Sequence, residues 1–172
     1  MSEKLERSKK DGAHALLARM AGSWKGTSKL WFEPDQLAEE TPITGTLKLV
    51  LDGMHLVHEY EGTTMGKRQT GLAIHSYSLG EQRWQTAWVD SFHNGTRIMF
   101  SQGLAGTDVR RPNVLGSYPV SSVDPSADPT GPDWGWRTTL ELRADDHLVI
   151  AQYNVDPDGM EAKAIEIDYH RI

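Results

Sequence analysis

Gly22-Ser23-Trp24-Lys25-Gly26 decides the reading of this chain. It follows a short apolar segment with helical spacing and opens a series of β-like runs. An indole at the start of a first strand can plug one end of a closed barrel. The glycines on either side let the backbone bend tightly beside it. A closed barrel of this size usually encloses a ligand cavity rather than a catalytic cleft.

Upstream of that stretch, residues 1–12 are polar and charged and read as a flexible arm. Asp11 to Ala21 reads as one short helix, with Asp11 as its N-cap and Leu16, Leu17 and Met20 on one face. Downstream, helical periodicity gives way to alternation, the pattern of an antiparallel meander. Ten strands are expected, over Trp24–Phe32, Thr44–Val50, His55–Glu61, Arg68–Ser78 and Arg83–Ser91, then Arg97–Gly103, Asn113–Val120, Gly135–Ala144, Leu148–Asp156 and Glu161–Arg171. Turn residues separate them at Leu51-Asp52-Gly53, Leu79-Gly80-Glu81, His93-Asn94-Gly95 and Asp156-Pro157-Asp158-Gly159. Two long loops are expected, Glu33–Pro42 and Ser121–Trp134. The second reads as a surface excursion or as a lid over a cavity mouth. The expected fold is therefore all-β: an up-and-down antiparallel barrel of about ten strands behind a short N-terminal helix, with residues 13–172 as one domain.

Composition narrows the function classes. The 172 residues suffice for a substantial core, and the absence of cysteine removes disulfides, thiolate nucleophiles and Cys-ligated metals. The mean hydropathy of -0.53 argues against a membrane span. The charged N-terminus has no apolar stretch of a secretory signal, so a cytoplasmic location is expected. The net charge is -6 with no stripe of Lys or Arg, which makes nucleic acid a poor partner. No oligomeric state follows from the sequence.

Neighbouring side chains on a strand point to opposite faces. Trp136, Thr138, Leu140 and Leu142 then face inward in strand eight. Met54, Leu56, His58 and Tyr60 do so in strand three, and Trp84, Thr86, Trp88 and Asp90 in strand five. The last strand turns Ile165, Ile167 and Tyr169 inward. Strand four allows either Leu72/Ile74 or Ala73/His75/Tyr77. A mostly apolar, aromatic lining with a few polar handles suits an apolar or amphipathic small molecule. His58, Tyr60, Trp88, Asp90, Thr138 and Leu140 are the candidate ligand-binding residues.

The Trp24 region, Leu51-Asp52-Gly53, Thr86-Ala87-Trp88-Val89-Asp90-Ser91 and Asp158-Gly159-Met160-Glu161 through Ile167-Asp168-Tyr169-His170-Arg171 form a recognisable series. Together they resemble a bacterial family of uncharacterised barrels placed near the lipocalin, fatty-acid-binding and nitrobindin-like proteins, the calycins. The resemblance runs from about Leu16 to Arg171. It implies a structural pair in which a basic side chain of the last strand packs across the first-strand indole, here Arg171 on Trp24, with Lys25 and Arg143 as substitutes. Nitrobindin-like relatives hold haem through a histidine near the C-terminus, which draws attention to His170. Strand parity places His170 outside, so His58 or His75 would be the better axial ligand.

No catalytic motif stands out: there is no nucleophile elbow, no His-Glu-x-x-His and no phosphate loop. His55 and His58 point to opposite faces and cannot easily share an ion, so no metal is expected. His93 reads as a solvated loop residue. Asp90 lies at the rim, where it can cap the following turn, pair with Arg97, or act as a base beside His58 or Tyr60. The leading expectation is a non-enzymatic binder. An acid–base enzyme built on Asp90 and His58, a haem-binding barrel and a ligand-free scaffold are the alternatives.

Overall fold

A computed structural model describes residues 3–122, 126 and 128–172. Two helices, α1 (Glu3–Asp11) and α2 (Ala13–Met20), precede ten strands. These are β1 (Gly22–Glu33), β2 (Gln36–Val50), β3 (His55–Thr64), β4 (Lys67–Ser78), β5 (Arg83–Asp90), β6 (Met99–Gln102), β7 (Asn113–Tyr118), β8 (Trp134–Ala144), β9 (His147–Val155) and β10 (Glu161–Arg171). A three-residue 3-10 turn, Val120–Ser122, follows β7. Each strand pairs antiparallel with its neighbour in sequence, and β1 closes the ring by pairing β10. The result is a closed, ten-stranded up-and-down barrel. Among the described residues no helix is long and apolar enough to cross a membrane.

Alternation does what the sequence suggests. In β5 every second residue is buried, which takes Trp84, Thr86, Trp88 and Asp90 inside. The ambiguity in β4 resolves toward Ala73, His75 and Tyr77, while Ile74 is exposed. The β3 and β5 registers force that choice, since His58 and Trp88 both lie opposite Ala73. A one-residue slip would invert every side chain of the strand.

Two segments depart from expectation, and a third lies partly outside the described residues. The supposed arm is helical: α1 buries Leu5 and Ser8, and Ser8 Oγ bonds His14 Nδ1 at 2.8 Å. Glu3 and Glu6 sit in its first turn and Lys9 and Lys10 in its last, which complements the helix dipole. Asp11 ends this helix instead of capping the next; the N-cap of α2 is Gly12, without a side-chain bond. The expected loop Glu33–Pro42 is strand. β1 and β2 run on to a tight turn at Pro34-Asp35, where Asp35 adopts φ 58°. Pro42 is tolerated because β2 pairs with β3 only from Ile43 onward, so its missing N–H faces no ladder partner on that side. The expected Ser121–Trp134 excursion falls partly on residues 123–125 and 127, outside the described residues. Within the rest of it, Asp128 closes an exposed turn by accepting from Thr130 N and Oγ1.

The helices close one end. Leu17, Met20, Trp24, Leu47, Leu56, Leu148 and Tyr169 pack there with at most 2% of their surface exposed. Each buried side chain of this size contributes roughly 1.5–3 kcal/mol. Trp24 donates its indole N–H to Met20 O at 3.0 Å. The Arg171 guanidinium lies 4.2 Å from the indole centroid. Arg171 also donates to the carbonyls of Ala21, Arg19 and Asp145, so one side chain ties the helix, the first strand and the β8–β9 turn together.

Candidate functional site

From the plugged base upward, the interior changes character twice. Just above the apolar plug lies a polar girdle. His58 Nε2 sits 3.3 Å from Tyr169 OH, and His75 Nδ1 sits 3.0 Å from Thr86 Oγ1. Thr138 Oγ1 accepts from Gln152 Nε2 at 3.4 Å. These groups surround a cavity of about 20 Å³, room for one water. His75 Nε2 is buried there without a partner among the described residues. Burial pushes the pKa of His58 down to about 3, with the neighbouring His75 adding to the effect. Burial likewise pushes His75 down to about 4. Both rings are therefore neutral at ordinary pH.

Above the girdle, β5 ends on Asp90, and the chain folds back over its carboxylate. Oδ1 accepts from the backbone N–H groups of Phe92, His93 and Asn94 at 3.2, 2.5 and 3.0 Å. Oδ2 accepts from His93 Nδ1 at 2.6 Å, Gln69 Nε2 at 2.8 Å and Tyr60 OH at 3.4 Å. Burial works to raise the Asp90 pKa, but the His93 side chain, the His93 backbone N–H and Gln69 outweigh it and hold the carboxyl below its usual range. Tyr60 accepts from Trp88 Nε1 at 2.8 Å, and its own pKa is raised, by burial first and by the Asp90 charge second.

The mouth opens beyond this carboxylate into a cavity of about 870 Å³. Trp88 and Trp136 stack on its wall with centroids 5.6 Å apart and planes at 17°. The His93 ring lies 5.6 Å from Trp88 and 5.8 Å from Trp136. With Nδ1 turned to Asp90, the other ring nitrogen, Nε2, has no partner among the described residues. Trp136 Nε1 is buried and has no hydrogen-bond partner among the described residues. Tyr118 donates to Asn154 Oδ1 at 2.7 Å. Arg97, 6.0 Å from the Tyr118 ring centroid, has no carboxylate partner among the described residues. The wall thus offers stacking surface, the Arg97 cation and a second imidazole nitrogen.

The candidate residues separate along this axis. Trp88 borders both cavities, and His58, Tyr60 and Thr138 border the small one. Leu140 lies in the apolar core, apart from both. Asp90 is a buried turn-capping carboxylate whose side-chain partner is His93 rather than Arg97. His58 and Asp90 do not meet: Tyr60 stands between them, its ring 5.1 Å from that of His58. His93, expected in solvent, keeps only 17% of its side chain exposed. The Asp90–His93 spacing of three residues was a usable signal, since a carboxylate at the start of a turn commonly bonds the backbone just beyond it. Haem does not fit the histidines proposed for it. His58 and His75 face a space of one water's size, and His170 lies on the outer wall with its ring stacked on His147.

Residues 9–171 match the family described as "Protein of unknown function (DUF1579)". The chain belongs to that family. No curated protein matches the sequence. In structure this DUF1579 protein is similar to the S-type phycobiliprotein lyase CPES from Guillardia theta. The TM-score is 0.54 at 10% identity, with 100% of this chain and 98% of that chain covered. A protein of unknown function from the DUF3598 family of Nostoc punctiforme gives a TM-score of 0.28 at 7% identity, over 94% of this chain and 100% of that one. The first likeness is one of fold, and the second is too weak to use.

Proposed function

We propose that this DUF1579 protein binds a flat, amphipathic small molecule at the mouth of its barrel and holds it without converting it. The observation that carries this reading is the cavity of about 870 Å³ walled by the Trp88–Trp136 stack. Its volume lies within the range of small-molecule sites, and apolar walls with few polar groups are their usual chemistry. Stacked indoles favour an aromatic or conjugated face. Arg97 suits an acidic group at the ligand's edge, and His93 Nε2 offers a hydrogen-bonding position beside it. Kinship with the calycins belongs to the same proposal, resting on the Trp24–Arg171 pair and the up-and-down barrel. The phycobiliprotein lyase lends no residue to it, because the likeness is confined to fold.

A naphthalene sulfonate dye, aromatic and anionic, provides the test. It should bind the purified protein one to one and quench tryptophan fluorescence, and Trp136→Leu should weaken it about tenfold. Non-saturable dye uptake, or equal affinity in a folded Trp136→Leu variant, would sink the proposal. The Asp90–His93 pair supports a second reading, acid–base chemistry with Nε2 as the base. Mass spectrometry of small molecules recovered after incubation separates the two: an unchanged molecule means holding, a converted one means catalysis.

A further inference from the structure

A second cluster of ligating side chains lies on the outer wall near the plugged base, far from the mouth. β9 and β10 pair there without irregularity, and His147 stands directly opposite His170. Asp168 precedes His170 by two residues and so projects from the same face. The two imidazoles stack with centroids 4.7 Å apart and planes at 16°. Both turn Nε2 toward one oxygen: Asp168 Oδ1 lies 2.9 Å from His147 Nε2 and 3.5 Å from His170 Nε2. All three ligand atoms lie within 4.8 Å of one another.

A cross-strand hydrogen bond needs only one imidazole. The second ring, stacked in parallel and aimed at the same oxygen, is what that bond leaves unexplained. Tetrahedral zinc with N and O ligands at about 2.0–2.2 Å spaces its ligand atoms about 3.4 Å apart. The two nitrogen–oxygen separations bracket that value, so small rotations suffice to admit an ion.

We propose that His147 Nε2, His170 Nε2 and a carboxylate oxygen of Asp168 form a surface site for a borderline divalent cation of the zinc type. Two imidazoles disfavour magnesium and calcium, which take oxygen ligands. The fourth position faces solvent and is filled by water. The paired strands hold the three side chains in place before the ion arrives, which limits the entropy lost on binding. The principal opposing group is Lys25, opposite His170 on β1 and on the same face. Its charge keeps the affinity moderate, in the micromolar range. Glu166, the next outward residue on β10, is engaged by Lys163.

The test uses the full chain, stripped with chelator and titrated with zinc chloride alone by calorimetry. One ion per chain is expected. His170→Gln and Asp168→Asn should each weaken binding about tenfold or more, His147→Gln/His170→Gln together should abolish it, and Lys25→Met should tighten it. His170 is largely exposed, so His170→Gln keeps the fold, which circular dichroism checks in every variant. Nuclear magnetic resonance should show the ring signals of His147 and His170, and not those of His93, shifting on zinc addition. A wild-type chain that takes no zinc overturns the proposal. So does a folded double variant that binds as the wild type does, since the ion would then sit on other histidines.

Discussion

Six donors converge on the carboxylate of Asp90, and that count sets what its replacement does. Asp90→Asn removes the charge and leaves one oxygen to serve donors now held by two. Urea unfolding should show a loss of about 1–3 kcal/mol, the usual cost of stranding buried donors. Dye affinity should fall too, because His93 loses the partner that fixes its ring beside the tryptophans. Since the Asp90 pKa is depressed in the folded state, its contribution is complete above the ordinary carboxylate range. It is lost as pH falls through the lower folded value. Trp24→Ala tests the opposite end: truncating this buried indole should cost roughly 3–5 kcal/mol by the same assay. The two residues differ in how far sequence reveals them. Trp24 sits between glycines at the head of a patterned strand, so its role is readable. The spacing from Asp90 to His93 signals a backbone cap, but in a turn no periodicity says which way the His93 ring points.

Strand identity is readable wherever one face is dry, because burial imposes a period of two on the residue types. It fails where both faces are wet. The hairpin arms around Pro34-Asp35 carry Glu39, Glu40 and Pro42, pair only with each other near the turn, and show no apolar alternation. Helix α1 fails for the same reason, with Leu5 the only apolar side chain it buries. Close approach between elements leaves a different trace, glycine. A Cβ at Gly26 would coincide with the Asp168 carbonyl of β10, and one at Gly22 would strike the Arg171 guanidinium. Gly26→Ala must push apart the pair of strands that closes the barrel, so the variant should be recovered unfolded or insoluble. Gly80→Ala, in a turn with open space around it, should stay within about 0.5 kcal/mol of wild type by thermal melt.

At the scale of the whole molecule, the buried histidines make the barrel acid-sensitive. The folded pKa values of about 3 for His58 and about 4 for His75 lie below the unfolded value of 6.5. The unfolded chain therefore binds more protons as pH falls below 6.5, and stability declines from there until the folded values are reached. Between pH 6.5 and pH 5 each histidine should remove about 1–2 kcal/mol. Urea midpoints across that range should show the decline, and His75→Gln should flatten it. Closure into a ring was legible from strand count and rhythm. The division of the interior into a filled lower part and an open upper one was not, because it depends on how Tyr60, Trp88 and Trp136 share volume. The plug formed by Leu17, Met20 and Trp24 has a kinetic meaning as well. Among the described residues the foot is sealed, so a molecule held at the mouth as proposed would leave by reversing the path it took in. Nothing can be threaded through or pushed out from behind. On the proposed function, the side chains framing that mouth would set the pace of exchange in both directions.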